Sequence, residues 1–419
     1  MSTSSDVDGA RRRLALVAAV VVVAILATLL VLEVHREVSD PGNSDFIAFA
    51  TGARLVTSDP QHLYSAQAQA SLQAVLLHIP PSGGFLAFYA NLPAGALVLS
   101  PLAPLDLHTG AAVAAIVSLL LFGGSLVLAM RLLEGIMSRP LRALIAVSSV
   151  FSVPAIDAVV QWDSLLTCAA LVSVLLALRK RHLMAGIVLA TLVLKPQTVW
   201  LVLPALAAAQ SWRYLGGFVL GAAAWVGASI AIAGAGSLVA MMQLTARQEV
   251  ADASRSIGIP SLVAATTGSG AAGFVAAAIL GVGATVLIIA TGRRWLRGRP
   301  IVAVALGIPL SLLCAPHVSA QDVMVAAPTL LLVARRRPVV AATEALAFSA
   351  VGLIQQAVWL PARHLQPLVL LIVAATAAAV LLRTGGSTVE SAPRVSVTPY
   401  RARPAPARAA AGGPAPRAP

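Results

Sequence analysis

The chain has 419 residues, of which 58% are hydrophobic and 11% are charged, and its formal net charge is +13. Its mean hydropathy of +0.88 excludes a soluble globular domain and indicates an all-α protein that crosses a membrane many times. The positive charge comes mostly from arginines at the ends of apolar segments. It therefore predicts topology and attraction to anionic lipid, and it does not indicate nucleic-acid binding.

The N-terminus carries three consecutive arginines, Arg11 to Arg13, before an apolar run over residues 14–32. This run is longer than the apolar region of a signal peptide, and no small-residue cleavage site follows it. We therefore expect a retained first span, with residues 1–13 in the cytoplasm.

A long extramembrane loop, residues 33–90, follows the first span. Ser44 is expected to cap a short helix and to place Asp45 in the first turn, where the helix dipole favours a carboxylate. Apolar residues recur at helical spacing over 46–53, and Asp59-Pro60 predicts the start of a second helix. We expect both helices to be interfacial, lying on the membrane surface.

Apolar segments continue through the rest of the chain, and several are shorter than the ~20 residues that a full crossing needs. If the basic clusters face the cytoplasm, alternation gives about twelve crossings with both termini inside, provided that residues 91–105 form a re-entrant or short helix. After the first span, the predicted spans cover residues 108–130, 141–157, 163–178, 182–194, 197–209, 213–233, 272–291, 301–315, 320–334, 338–358 and 365–382.

The same topology places five segments on the outer side of the membrane, and most of the unusual polar residues lie in them. Residues 14–383 form the transmembrane domain, and the Pro-, Ala- and Arg-rich tail 384–419 is expected to be disordered in the cytoplasm. The outer segments are residues 33–90, 158–163, 195–197, 234–271 and 316–321, and 234–271 is expected to be a partly helical lid.

Each polar candidate on the outer side has a functional and a structural interpretation. Asp45 is a candidate general base, although spacing alone favours an acid that complements a helix dipole. Gln161 and Asp163 are candidate sugar ligands with Trp162 as a stacking face, or Asp163 simply caps its helix. Lys195, one of only two lysines, is a candidate phosphate ligand or a snorkelling side chain. His317 is a candidate donor to a leaving phosphate, oriented by Asp322, or a structural loop histidine.

These residues together suit sugar transfer from a lipid phosphate, in which an acid takes a proton from an acceptor hydroxyl and cations stabilise the departing phosphate. We expect no metal site and no cofactor beyond the lipid-linked sugar. The two cysteines, Cys168 and Cys314, lie in or beside apolar segments and are expected to be packing residues.

Several short motifs between residues 40 and 380 resemble the bacterial polyprenol-phosphate-mannose-dependent α-mannosyltransferases, glycosyltransferase family 87, also catalogued as a domain of unknown function. The most specific part is the order of a glutamine-led turn, an arginine-rich inner loop and Leu-Lys-Pro. The matching residues are Ser44-Asp45-Phe46, Asp59-Pro60, Tyr89 with Leu92-Pro93, Gln161-Trp162-Asp163-Ser164, Leu194-Lys195-Pro196 and Pro316-His317.

This resemblance implies a GT-C fold with interfacial helices in the first outer loop, an active site at the outer face of the plasma membrane, and inversion at the anomeric carbon. It implies that Asp45 is the base and that Lys195 and His317 face the phosphate of a polyprenyl-phosphate mannose donor. Sugar and acceptor contacts are then assigned to Gln161, Asp163, Tyr89 and Arg54, and the acceptor to a glycolipid or glycan of the cell envelope.

Three alternatives to mannose transfer stay open at this point. The donor sugar is a pentose of the arabinose type, the protein is a lipid transporter or flippase, or it is a non-catalytic scaffold. A transporter usually places its ionisable residues near the bilayer midplane and has repeated halves, whereas the polar residues here cluster toward one face.

Overall fold

The computed structural model describes residues 4–79, 87–150, 156, 159–252, 256, 258–358 and 365–383. These residues form seventeen α-helices joined by 3-10 helices and turns, and they contain no β-strand. In chain order the helices are α1 (Ser4–Ser39), α2 (Phe46–Ser58), α3 (Ala66–Leu77), α4 (Pro93–Leu99), α5 (Leu107–Leu132), α6 (Arg139–Val150), α7 (Asp163–Leu178), α8 (His182–Leu189), α9 (Val202–Ala208), α10 (Trp212–Ala233), α11 (Ala235–Asp252), α12 (Ile259–Thr267), α13 (Gly270–Leu296), α14 (Pro300–Cys314), α15 (Ala327–Ala334), α16 (Pro338–Val358) and α17 (Leu365–Arg383).

Three helices of this described part, α5, α10 and α13, are long and apolar enough to cross a membrane. Shorter apolar helical segments, of 10–17 residues, include α7 and α14. The chain is therefore a helical membrane protein, and the count of twelve crossings stays a prediction.

Helix boundaries follow the predicted apolar segments closely. The segment 163–178 coincides with α7, and 213–233 differs from α10 by one residue. Two predicted spans are instead divided: 182–194 contains α8 and the 3-10 helix Ala190–Leu194, and 320–334 contains the 3-10 helix Ala320–Ala326 and α15. These divisions produce irregular backbone inside apolar segments, which is tolerated where protein surrounds it.

The first outer loop differs from the predicted pair of interfacial helices. Helix α2 is buried on nearly every side, from Phe46 to Ala53, because it packs between α4, α5 and the 3-10 helix Ser100–Leu102. It is therefore a core helix, without the exposed polar face that an interfacial helix presents. The second helix, α3, begins at Ala66, where the Ser65 side chain accepts a hydrogen bond from the N–H of Ala68.

Asp59 does not cap that second helix, because its carboxylate instead pairs with the Nδ1 of His62 at 2.8 Å. Residues 80–84 have the sequence Pro-Pro-Ser-Gly-Gly, which is typical of a turn. They and the expected disordered tail at 384–419 lie outside the described residues.

One hydrophobic core runs through the described helices, and its tightest helix contact joins α8 to α10. A Cβ atom built on Gly186 would lie 2.1 Å from the carbonyl oxygen of Tyr214, and one on Gly217 would lie 2.1 Å from that of Leu183. Only glycine permits this approach of two backbones, as is common between membrane helices.

Turns that the topology assigns to one side of the membrane contact one another. At the predicted cytoplasmic ends, the N–H of Gly298 donates to the carbonyl of Ala209 at 2.9 Å, and Arg299 donates to the carbonyl of Leu382 at 3.2 Å. At the predicted outer ends, the hydroxyl of Ser256 donates to the carbonyl of Val318 at 3.1 Å. The fold therefore separates two sets of turns, and the candidate site lies among the second set.

Candidate active site

Asp45 lies at the start of α2, where its carboxyl group is not used for capping. Asp45 itself occupies the N-cap position, where Ser44 was expected, and its side chain makes no capping bond. The backbone N–H of Phe46 donates instead to the Ser44 hydroxyl at 3.1 Å. Ser44 and Phe46 are buried, whereas the Asp45 side chain keeps exposed surface. The carboxylate is thus free to face the neighbouring turn.

Gln161 occupies that turn, just before α7, and its carboxamide joins three parts of the chain. Its Nε2 donates to Oδ2 of Asp45 at 2.6 Å. Its Oε1 accepts from Nε2 of Gln321 at 2.9 Å and from Nζ of Lys195 at 3.3 Å. One side chain therefore connects the acid of the first loop to a buried ion cluster.

That ion cluster consists of Lys195 between two carboxylates. Nζ of Lys195 lies 2.6 Å from Oδ2 of Asp163 and 2.8 Å from Oδ1 of Asp322. All three side chains are buried, and both aspartates are 0% exposed. Lys195 is in this position because Pro196 starts a new 3-10 helix and breaks the preceding one, so the backbone turns there.

The electrostatic state of the lysine follows from this arrangement. Burial by itself lowers the pKa of Lys195, but the two adjacent carboxylates outweigh burial and raise this pKa above its ordinary value. Its positive charge is therefore permanent at neutral pH and is used in two ion pairs. The predicted role of Lys195 as a phosphate ligand stays a prediction.

Asp322 also holds the loop that contains His317. Its Oδ2 accepts from the N–H of Ser319 at 2.9 Å and completes a capping box with the Ser319 hydroxyl. The sequence suggested that Asp322 orients His317. Within the described part of the chain, Asp322 instead binds Lys195 and the backbone of Ser319, so its effect on the histidine is indirect.

His317 lies in the loop that Asp322 holds. Its Nε2 lies 3.4 Å from the Ser319 hydroxyl, and its Nδ1 is buried without a hydrogen-bond partner among the described residues. The carbonyl of the next residue, Val318, accepts a hydrogen bond from the Ser256 hydroxyl. Ser256, which belongs to the segment 234–271, therefore lies beside this loop. The described protein therefore leaves one ring nitrogen of His317 unused.

The protein environment of Asp45 raises the pKa of its carboxyl group above the ordinary value. Desolvation is the main cause, because surrounding protein displaces water from the carboxyl group even though it keeps exposed surface. Lys195 and His317 oppose this shift, and Asp322 adds to it. No three His, Cys, Asp or Glu side chains of the described ranges are grouped so that they would hold a metal ion.

Two predicted sugar ligands are buried and do not face the site. Tyr89 is 0% exposed, and its hydroxyl donates to the carbonyl of Leu92 at 2.8 Å. Asp163 makes its contact to Lys195 from a fully buried position. Trp162, expected to offer a stacking face, is 5% exposed and packs edge-on against Phe49. These buried side chains pack beneath the site and are not exposed to a ligand.

Arg54 lies away from the other predicted residues. It is nine residues beyond Asp45 along α2, or about 13 Å at the rise of an α-helix. Its guanidinium donates to the carbonyls of Ala50 and Leu105 and lines a separate open groove of about 620 Å³. The predicted acceptor contact therefore does not reach the Asp45 carboxyl in this structure.

Two residues of the cluster were missed as site residues: Gln321, and Asp322 as a partner of Lys195. A signal for the second was present in the sequence. An acid inside an apolar segment needs an opposite charge nearby, and Lys195 is the one lysine on the predicted outer side. Gln321 gave no such signal, because an amide beside an apolar segment has many possible partners.

The comparisons with known proteins identify the family. The sequence model of glycosyltransferase family 87 matches residues 89–316, more than half of the chain. Gln161, Asp163 and Lys195 lie inside this range, Asp45 lies before it, and His317 follows it directly. No curated protein and no solved structure matches the chain. The match confirms the family predicted from the sequence motifs: the chain belongs to glycosyltransferase family 87.

Proposed function

We propose that the protein transfers a sugar from a polyprenyl-phosphate donor to a hydroxyl group of a cell-envelope glycolipid or glycan. We infer mannose as the sugar and the outer face of the plasma membrane as the place of reaction. The observation that carries the proposal is the exposed carboxyl group of Asp45, which is held beside the buried cluster of Lys195, Asp163 and Asp322.

Asp45 acts as the general base of this reaction. Its carboxylate removes the proton of the acceptor hydroxyl while the oxygen attacks the anomeric carbon of the donor sugar. A bond forms between that oxygen and the anomeric carbon, and the bond from this carbon to the phosphate oxygen breaks. The electron pair leaves with the polyprenyl phosphate, and attack opposite the leaving group inverts the configuration.

His317 is assigned to the leaving phosphate, because its Nδ1 is buried and unsatisfied beside the Asp45 site. An N–H donor placed where negative charge develops stabilises the transition state more strongly than the ground state. Lys195 lies on the buried side of Gln161, and its positive charge stabilises the leaving phosphate at a distance. For direct contact with the phosphate, it would have to release Asp163 or Asp322.

A lipid-linked donor fits the position of the site within the fold. The residues that hold Asp45, Gln161 and Lys195 come from turns between apolar helices, so a polyprenyl chain in the bilayer can reach them from the side.

The test is sugar transfer by purified protein in lipid nanodiscs, with polyprenyl-phosphate mannose and a membrane glycolipid extract as acceptor. We expect Asp45→Asn to lower turnover by at least about 100-fold, which is the usual contribution of a general base. The melting temperature should not fall, because the substitution removes a charge that burial disfavours. Unchanged turnover in the folded variant would exclude Asp45 as the base.

The donor sugar requires its own comparison. The same assay with polyprenyl-phosphate mannose, glucose and arabinose should give transfer from the mannose donor at the highest kcat/KM. Preference for the pentose donor would replace mannose but keep the mechanism. Absence of transfer from every donor, together with energy-independent movement of polyprenyl phosphate between leaflets, would indicate a flippase.

A further inference from the structure

Gln161 makes an unusually complete set of contacts for a residue expected to bind sugar. Its Oε1 has two lone pairs, and Gln321 and Lys195 occupy both. Its Nε2 uses one of its two hydrogens for Asp45. One N–H therefore remains, so most of the hydrogen-bonding capacity of this amide is directed at the protein and not at a ligand.

These neighbours also fix which way round the amide lies. Oε1 faces an ammonium group and an amide N–H, both of which only donate, whereas Nε2 faces a carboxylate, which only accepts when ionised. Rotation of the carboxamide by half a turn would set oxygen against oxygen and N–H against N–H at all three contacts. The buried ion cluster thus determines the direction in which Gln161 donates.

The contact distinguishes the two oxygens of Asp45. Oδ2 accepts from Gln161 at 2.6 Å, a short distance typical of a bond to a charged acceptor. Among the residues that the structure describes, Oδ1 accepts no hydrogen bond, and Asp45 as a residue is exposed. One oxygen is held by the protein, and the other has no partner in the described part of the chain.

We propose that Gln161 is a positioning residue, which holds Asp45 by Oδ2 so that Oδ1 faces the acceptor hydroxyl. This inference rests on the proposed role of Asp45 as base. Gln161 also couples the base to Lys195 and Asp322, so it transmits the geometry of the buried cluster to the surface. Its hydrogen bond favours the ionised carboxylate and opposes the desolvation that favours the neutral acid.

The experiment compares Gln161→Met and Gln161→Glu with a matched control, Gln67→Met. Methionine has nearly the length of glutamine but cannot donate to Asp45. Glutamate keeps the oxygen that faces Lys195 and Gln321 and sets a second carboxyl group against Asp45. Gln67 lies on the exposed surface of α3, outside the site, and its variant should match the wild type.

The first measurement is the pH dependence of kcat/KM. We expect the acidic limb to move up by about one pH unit in Gln161→Met and further in Gln161→Glu, because the ionised form of Asp45 loses a bond or meets a second acid. The kcat should fall by about 10- to 100-fold through misplacement of the base, while the KM for the donor stays within about twofold.

The second measurement does not depend on activity. Dicyclohexylcarbodiimide reacts with protonated carboxyl groups in apolar surroundings, and mass spectrometry of the Asp45 peptide gives the extent of labelling at each pH. The midpoint of labelling should rise in both Gln161 variants and stay unchanged in Gln67→Met. An unchanged midpoint with a raised donor KM would overturn the proposal and return Gln161 to sugar binding.

The two measurements separate this proposal from the proposed function. Suppose that Asp45→Asn abolishes transfer and that the labelling midpoint is the same in the Gln161 variants and the wild type. The positioning role of Gln161 is then wrong, and the proposed glycosyl transfer is supported. If the midpoint moves but no donor is used, Gln161 positions Asp45 in a protein with another activity. Should Gln161→Met fail to fold, Gln161→Glu still decides, because it keeps the contacts to Lys195 and Gln321.

Discussion

Lys195 illustrates how one residue supports two different interpretations. The sequence shows a rare lysine in a break between apolar segments and favours a phosphate ligand. The structure surrounds its ammonium group with the carboxylates of Asp163 and Asp322, at 2.6 and 2.8 Å. Removing the centre of a buried ion cluster leaves two buried carboxyl groups without a cation, which is far more harmful than removing a solvent-exposed cation.

We therefore predict that Lys195→Met destabilises the protein by about 3–5 kcal/mol. Thermal unfolding in detergent, followed by the fluorescence of a thiol-reactive dye, measures the change. The triple variant with Asp163→Asn and Asp322→Asn should recover most of the loss, because no buried charge remains. A single variant that melts like the wild type but loses affinity for the donor would show that Lys195 acts as a free phosphate ligand.

The pH dependence of the wild type follows from the environment of Asp45. Desolvation raises the pKa of this carboxyl group, and a base works only when ionised. Activity must therefore fall with decreasing pH at a higher pH than for an ordinary aspartate, whose pKa is about 4. A profile of kcat/KM from pH 4 to pH 8 should show this limb, and a flat profile would contradict a role for Asp45 in proton transfer.

At the scale of single residues, the sequence located the polar positions but not their pairings. Asp45, Gln161, Asp163, Lys195 and His317 were all chosen from the sequence, and the structure brings them together. Tyr89 and Arg54 were chosen as well, yet one is fully buried and the other lines a separate groove. Contacts between residues 45, 161, 195 and 321 depend on helix packing, which a local pattern does not contain.

Among the helices, the boundaries were predictable and the faces were not. An apolar segment ends where charged, glycine or proline residues begin, so α7 and α10 begin and end within one residue of the predictions. The 3-10 helices at Ala190–Leu194 and Ala320–Ala326 do not change hydropathy and could not be detected that way. Helix α2 was predicted to be amphipathic, but the polar exposed face that this requires is absent within its buried part, Phe46–Ala53.

The contact between α8 and α10 gives a prediction at this scale. Gly217→Ala places a methyl group about where the Leu183 carbonyl oxygen now lies, because the built Cβ is 2.1 Å from that oxygen. Backbone cannot move aside as a side chain can, so we expect a loss of at least ~1–3 kcal/mol. The adjacent Gly216→Ala meets nothing within 4 Å and should be neutral or stabilising, since alanine favours helix.

Thermal unfolding of the two variants side by side measures this difference. Equal melting temperatures for Gly216→Ala and Gly217→Ala would mean that the two helices are not in backbone contact. The packing described for Gly186 would then also be wrong, because both glycines contribute to the same contact.

On the scale of the whole molecule, the fold separates a polar end from a basic end. Four turns that carry Asp45, Gln161, Lys195 and Gln321 meet one another, and the turns at Ala209, Gly298 and Leu382 meet elsewhere. Helix α13 is buried over only 17% of its apolar window, so most of that window lies on the surface of the described chain. Contacts alone do not distinguish the two compartments, and the arginine distribution predicts that the basic end faces the cytoplasm.

The side of the membrane that the basic end faces decides whether the protein binds the donor phosphate outside or inside the cell. With both native cysteines replaced by serine, Gln67→Cys on α3 should react with a membrane-impermeant maleimide in intact cells. Arg337→Cys, exposed after α15, should react only after the membrane is permeabilised. Because adjacent turns alternate sides, the reverse pattern would move Asp45, Lys195 and His317 together to the cytoplasm and would require a donor facing inward.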